Sequence, residues 1–300
     1  MRKVVALRGL AALAVVIISG WQCWTMPAPV PSGDSPRYML PALNLAIHGV
    51  ISTKPFDPDR TPSPSLVNGG PLIVFELTPL LAIDHGLKQT FICVLADAPR
   101  QDCTINLGIV KCVHWLEFLI FLLCLGGIAK LVTGSVFAAW SAVFVTLLYK
   151  EMFEFSGLVL TEPIYLTCIG AFLYFWTRAI LVQSGVLTWL SSGLTAGVTI
   201  LAKPVALVLL PVIAATLVLA VLFSKLTARR AALLGLAFYL SCAATLTPWL
   251  YRNERALGQL ALTDSRHLEA ALSHRVAYNA MSGASGASLG STTFQTSETS

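Results

Sequence analysis

Apolar residues in this chain fall in long blocks. Val4 to Trp21, Ile109 to Lys130, Val136 to Tyr149, Glu162 to Ile180, Val186 to Leu201, Ala206 to Phe223 and Ala231 to Trp249 are each dominated by aliphatic and aromatic side chains. An α-helix rises about 1.5 Å per residue, so about 20 residues cross about 30 Å of hydrocarbon. Two of the blocks, Val136 to Tyr149 and Val186 to Leu201, are shorter than that. The pattern predicts an all-α integral membrane protein with about seven transmembrane helices. Strands of a membrane barrel would alternate apolar and polar residues, and these blocks do not. Met1-Arg2-Lys3 precedes the first block and Arg8 interrupts it. A cleaved signal peptide is the alternative reading of that block, but no A-x-A-like site follows at the right distance, which favours a retained helix.

Residues 22 to 105 break the apolar pattern with Pro, Gly and Asp, and form the first loop outside the cytoplasm. Unpaired backbone groups of such a stretch are too costly in hydrocarbon, at several kcal/mol each, for it to lie in lipid. Within it, Ser35 to His48 (SPRYMLPALNLAIH) has apolar residues at helical spacing. Ser35 or Asp34 is the expected N-cap and Gly49 the stop, giving an amphipathic helix along the membrane surface. A second such helix, less marked, is expected from about Leu72 to Ile83.

Composition agrees with the blocks. Of the 300 residues 56% are hydrophobic and 12% charged, against about 25% charged in a soluble domain. The net charge of +5 does not imply nucleic acid, because basic residues sit singly at helix ends with no cluster interleaved with aromatics. It reads as topology. If the spans alternate, Arg2, Lys3, Lys130, Arg178, Lys225, Arg229 and Arg230 share one side, and the short loop Lys150 to Thr161 on the other carries Glu151 and Glu154. The positive-inside rule then puts the N-terminus in the cytoplasm of a multi-pass protein of the cell inner (plasma) membrane. Seven cysteines lack any CxxC or Cys/His spacing, which leaves a metal cluster or redox motif unsupported. Cys93 and Cys103, both in the outer loop, have a disulfide open to them.

The same topology gathers polar groups on the outer face: the Asp34 loop, Thr161-Glu162, Lys203-Pro204, and Pro248-Trp249 through Asn253. Asp34 is either a plain N-cap or a general base whose desolvation at a cavity mouth raises its proton affinity. Glu162 is either a carboxylate favoured by the helix N-terminus or a functional charge at a membrane interface. Glu117 lies inside the second span, where His114 or Lys111 could neutralise it; a structural role is the plainer reading. Lys203 and Arg252 suit phosphate oxygens, though Trp, Tyr and Arg are also common interfacial anchors. Carboxylates of the outer loop could hold a divalent metal or act alone, so no cofactor is fixed.

In this arrangement the chain resembles the GT-C membrane glycosyltransferases that use polyprenyl-phosphate sugars, and is similar to protein O-mannosyltransferases and lipid A aminoarabinose transferases. The resemblance runs from Met1 to about Met281. It rests on a first helix, the acid Asp34 before Arg37-Tyr38, the Asn44-Leu45-Ala46-x-x-Gly49 helix, Thr161-Glu162-Pro163, a Gly193 to Pro204 segment ending in Ala202-Lys203-Pro204, and Pro248-Trp249-x-x-Arg252-Asn253 with Gly258. It implies inverting transfer of a sugar from a polyprenyl-phosphate donor to a lipid, glycan or protein acceptor at the outer face. Asp34 and Glu162 take the catalytic acidic positions, and Arg37, Tyr38, Lys203, Arg252 and Asn253 the substrate-binding ones. The family often has paired acids in the first loop, whereas here Ser35 follows Asp34.

The expected organisation is a transmembrane module over 1–250, the start of an outer segment over 251–281, and a Ser/Gly/Thr-rich tail over 282–300 too poor in apolar residues to fold. That tail is either a flexible end or the product of a shifted reading frame, in which case the chain is the N-terminal part of a longer enzyme. Two other function classes stand beside the transferase. A transporter or flippase for a lipid-linked or anionic solute would show internal repeats and charges near midmembrane. A noncatalytic membrane subunit would merely pack against a partner.

Overall fold

The computed structural model describes residues 2–264 apart from 28, 30, 32, 97–102, 183 and 184, with no side chains described before residue 8. The side chains of Arg2 and Lys3, and the expected segments beyond 264, lie outside the described residues. Contacts divide the chain into two units, Met1–Thr263 and Asp264–Ser300, and the helices described all belong to the first.

Every regular element among the described residues is a helix. They are α1 (Arg2–Thr25), α2 (Ser35–His48), α3 (Leu72–Ile83), α4 (His85–Leu95), α5 (Gly108–Thr133), α6 (Val136–Leu147), the short α7 (Glu151–Glu154), α8 (Glu162–Leu181), α9 (Val186–Ala202), α10 (Leu209–Leu222) and α11 (Ala228–Leu257), with short 3-10 turns at Phe155–Gly157 and Pro204–Val208. The protein is thus an all-α membrane protein. Among the described residues, four helical stretches are long and apolar enough to cross a bilayer: α5, α8, Pro204–Leu222 and α11. Counting α6 with the following Glu151–Gly157, bent from it by 60°, raises that to five. The expectation of about seven also included α1 and α9, which fall outside this set. The start of α1 lies outside the described side chains, and α9 has only 17 residues. Large side chains such as Leu123, Phe137, Leu187, Leu219 and Leu236 remain exposed on the outward faces, as lipid-facing positions must.

The helices assemble in three packed groups. Phe118, Leu122, Val143, Leu147 and Phe153 bring α1, α5, α6 and α7 together. Phe172, Ala196, Ile213, Phe238 and Cys242 do the same for α8 to α11. The third group, with Met39, Leu43, Leu77, Leu87 and Phe91, joins α2, α3 and α4 into a cap. Within the second, α9 and α11 approach through Gly193 and Gly197, one helical turn apart. A Cβ on Gly193 would stand 2.1 Å from the Phe238 carbonyl oxygen, and one on Gly197 2.7 Å from Thr245 Cβ. Small residues spaced in this way let helix backbones meet where lipid supplies no hydrophobic driving force.

The two helices expected in the first loop have the bounds that the spacing gave them. Helix α2 runs Ser35–His48 and closes on Gly49, whose positive φ of 70° ends the helix with a bond from its N–H to the Leu45 carbonyl. Helix α3 runs Leu72–Ile83. Helix α4, which the apolar spacing did not predict, starts at Asp84, whose carboxylate accepts from the Leu87 N–H. Cys93 and Cys103 are joined in a disulfide that closes the end of α4 onto the chain leading into α5.

Candidate functional site

The Asp34 loop, the start of α8 and the end of α9 meet at one end of the bundle. Pro163 at the head of α8 fixes where that helix starts and Pro204 just past α9 where that one stops, which leaves Glu162 and Lys203 facing each other across the gap. Lys203 Nζ donates to Glu162 Oε1 at 2.7 Å, with both side chains about one-third exposed. The same ammonium lies 5.4 Å from the centre of the Tyr165 ring. Glu162 Oε2 is buried with no hydrogen-bond partner in the protein, so half of this carboxylate remains open to a further donor.

Tyr38 lies within electrostatic reach of both Glu162 and Asp34. Burial raises the affinity of its phenol for its proton; the Thr161 side chain beside it opposes this, and the Asp34 and Glu162 carboxylates add to it. Tyr38 therefore stays neutral and able to donate. The chain at Gly69 and Gly70 closes over these groups. Gly69, with φ of 85°, stands against the Tyr38 ring, and a Cβ on Gly70 would lie 2.1 Å from the carbonyl oxygens of Leu201 and Ala202, immediately before Lys203.

Asp34 stands at the N-cap position of α2, one of the two places expected for the cap, but its side chain makes no cap bond. It pairs instead with Arg37 one turn on, at 2.9 Å, with the two side chains 58% and 53% exposed respectively. A carboxylate this open is not the desolvated group expected at a cavity mouth; it faces water and whatever approaches this end of the bundle.

The structure thus brings together five of the seven residues singled out: Asp34, Arg37, Tyr38, Glu162 and Lys203. The other two are engaged elsewhere. Arg252 gives its guanidinium to the carbonyls of Ile51 at 2.9 Å and Ser65 at 3.1 Å and to Asn253 Oδ1 at 2.8 Å, and stacks on Trp249. Asn253 is fully buried and donates to the Ala261 carbonyl. Together they clasp the long loop to the end of α11. Beside the clasp lies a cavity of 480 Å³ lined by Gly49, Pro64, Phe75, Leu201, Trp249 and Arg252, among others. It is mainly apolar with one cation at its wall, which suits an amphiphile with an anionic end.

A second polar cluster lies deeper. Glu117 is not neutralised by Lys111, which gives its ammonium to the Met26 carbonyl. It faces Glu76 of α3 and His114 instead. Glu76 was missed by the sequence reading, although a single acid inside LIVFELTPLLAI was a signal: a charge in so apolar a helix needs a partner.

No known protein family, curated protein or solved structure matches this chain.

Proposed function

We propose that the chain is a membrane glycosyltransferase of the GT-C kind, moving a sugar from a polyprenyl-phosphate donor to a lipid, glycan or protein acceptor on the non-cytoplasmic side of the plasma membrane, with its N-terminus in the cytoplasm. The observation that carries this reading is the Lys203–Glu162 pair, seated beside Tyr38 and the Asp34–Arg37 pair at one end of an apolar bundle. A membrane-embedded donor presents its phosphate at this level, while an acceptor hydroxyl arrives from water.

The residues divide the work by exposure. Asp34 takes the proton of the acceptor hydroxyl as that oxygen bonds to the anomeric carbon. The bond from that carbon to the phosphate oxygen breaks on the opposite face, so configuration inverts and the electron pair leaves with polyprenyl phosphate. Lys203 meets the charge that builds on the departing phosphate, exchanging Glu162 for a phosphate oxygen. Glu162 holds Lys203 in place before the donor binds, and its open oxygen is placed to accept from a sugar hydroxyl. Arg37 and Tyr38 orient Asp34 and donate to substrate. The apolar cavity beside Arg252 takes the first isoprene units, its guanidinium remaining on the loop carbonyls.

Labelling with a photoreactive polyprenyl-phosphate analogue tests the donor side. Labelling of the full chain is expected to be competed by unlabelled polyprenyl phosphate. Lys203→Ala is expected to weaken that competition roughly tenfold to a hundredfold, the worth of one charge-assisted hydrogen bond. Uncompeted labelling, or equal competition in Lys203→Ala, counts against the assignment.

A further inference from the structure

We propose that Glu76, His114 and Glu117 form a site for a divalent transition-metal ion, best suited to zinc, that fastens the cap helix α3 to the spanning helix α5. Such a site is independent of glycosyl transfer, and neither needs the other to be present.

The geometry begins with His114, which is 1% exposed. Its Nδ1 lies 3.2 Å from the Ser156 carbonyl oxygen, and a carbonyl only accepts, so Nδ1 carries the hydrogen. In the neutral ring this leaves a lone pair on Nε2. That lone pair is turned toward Glu76 Oε1 at 3.7 Å, another acceptor. The gap is too long for a hydrogen bond. It is close to the separation of two ligands on one zinc ion, since Zn–N and Zn–O bonds of about 2.0–2.2 Å at tetrahedral angles put neighbouring ligand atoms roughly 3.4 Å apart.

Glu117 completes the group: one ligand atom from each of the three residues lies within 4.8 Å of the others. Glu117 is only 9% exposed. Its Oε2 and both carboxylate oxygens of Glu76 are buried and find no hydrogen-bond partner in the protein beyond each other's carboxyl group. The ammonium of Lys111, on the same helix, is committed to the Met26 carbonyl. Two carboxylates and an imidazole lone pair thus converge on one buried point, where repulsion between charges is weakly screened. One dication satisfies all three.

The surroundings have the form of a ligand shell. The Ser156 carbonyl fixes the ring and its tautomer, the supporting contact usual for a metal-bound histidine. The Glu117 backbone carbonyl accepts from Thr167 Oγ1 of α8 at 2.8 Å, which steadies that turn of α5. One nitrogen and two oxygens suit zinc, with a fourth position left for water, whereas calcium and magnesium prefer oxygen alone. The alternative is that the two carboxylates share a proton.

The test uses the full chain purified in detergent, stripped of metal and titrated with zinc sulfate, with magnesium sulfate as control. Bound metal is measured by mass spectrometry and the thermal midpoint is followed. About one zinc ion per chain and a raised midpoint are expected, with no response to magnesium. Glu117→Gln and His114→Asn are each expected to weaken zinc binding about tenfold to a hundredfold or more; should either fail to fold, Glu76→Gln takes its place. Wild-type protein that neither binds zinc stoichiometrically nor gains stability overturns the proposal in favour of the shared proton. Zinc bound equally well by the variants overturns it as adventitious.

Discussion

Asp34→Asn is expected to lower sugar transfer by about 10²–10⁴-fold, the range for losing a general base, while the chain inserts and folds as before. The two halves of this expectation rest on different observations. Asparagine keeps the shape of aspartate and is as good an N-cap, and the Asp34 side chain makes no cap bond to lose. Its pair with Arg37 is more than half exposed, and exposed pairs are worth at most about 1 kcal/mol. Stability is therefore nearly untouched. The amide cannot take a proton from a hydroxyl, so turnover falls. Transfer rates set beside the thermal midpoint of the same preparation check both halves. A loss of both together would make Asp34 a structural residue.

Gly193→Leu is expected to do the reverse, destabilising the whole module whatever it catalyses. A Cβ there would lie 2.1 Å from the Phe238 carbonyl oxygen and from Ser241 Oγ. The hydroxyl can turn away, but the carbonyl moves only if α11 moves. Since α11 ends in the Arg252–Asn253 clasp, separating it from α9 also disturbs the loop. Overpacking of this kind costs on the order of 3 kcal/mol. A fall of several degrees in the thermal midpoint of detergent-solubilised protein is expected, against none for Gly9→Ala, where a Cβ meets nothing within 4 Å. Equal midpoints for the two variants would contradict the close packing of α9 on α11.

Much of the fold could be read from the sequence because its signals are local. The spacing in SPRYMLPALNLAIH and the glycine after it gave α2 its observed bounds, and Leu72 to Ile83 gave those of α3. The number of spans was less legible. Hydropathy blocks show the short α9, but not that α6 turns by 60° before the next segment. The disulfide stayed open because the approach of Cys93 and Cys103 depends on how α4 lies.

For the candidate site, alternation of the spans grouped Glu162 and Lys203 at a common face, and the structure pairs them, 41 residues apart in sequence. It did not tell an anion-binding arginine from one that clasps a loop, because the partners of Arg252 are backbone carbonyls, which have no sequence signature. The neighbours of Glu117 were hidden for a similar reason. His114 lay in view one turn away, but Glu76 comes from a helix that only folding brings near.

The measurement that tests the central claim most directly is transfer of radiolabelled sugar from a panel of polyprenyl-phosphate donors to endogenous acceptors in membranes carrying the wild-type chain. Transfer from at least one donor, above that of membranes lacking the chain and with inverted configuration in the product, is the expected result. No transfer from any donor by well-inserted protein would contradict it, and would move the reading to a transporter of lipid-linked solutes or a noncatalytic subunit.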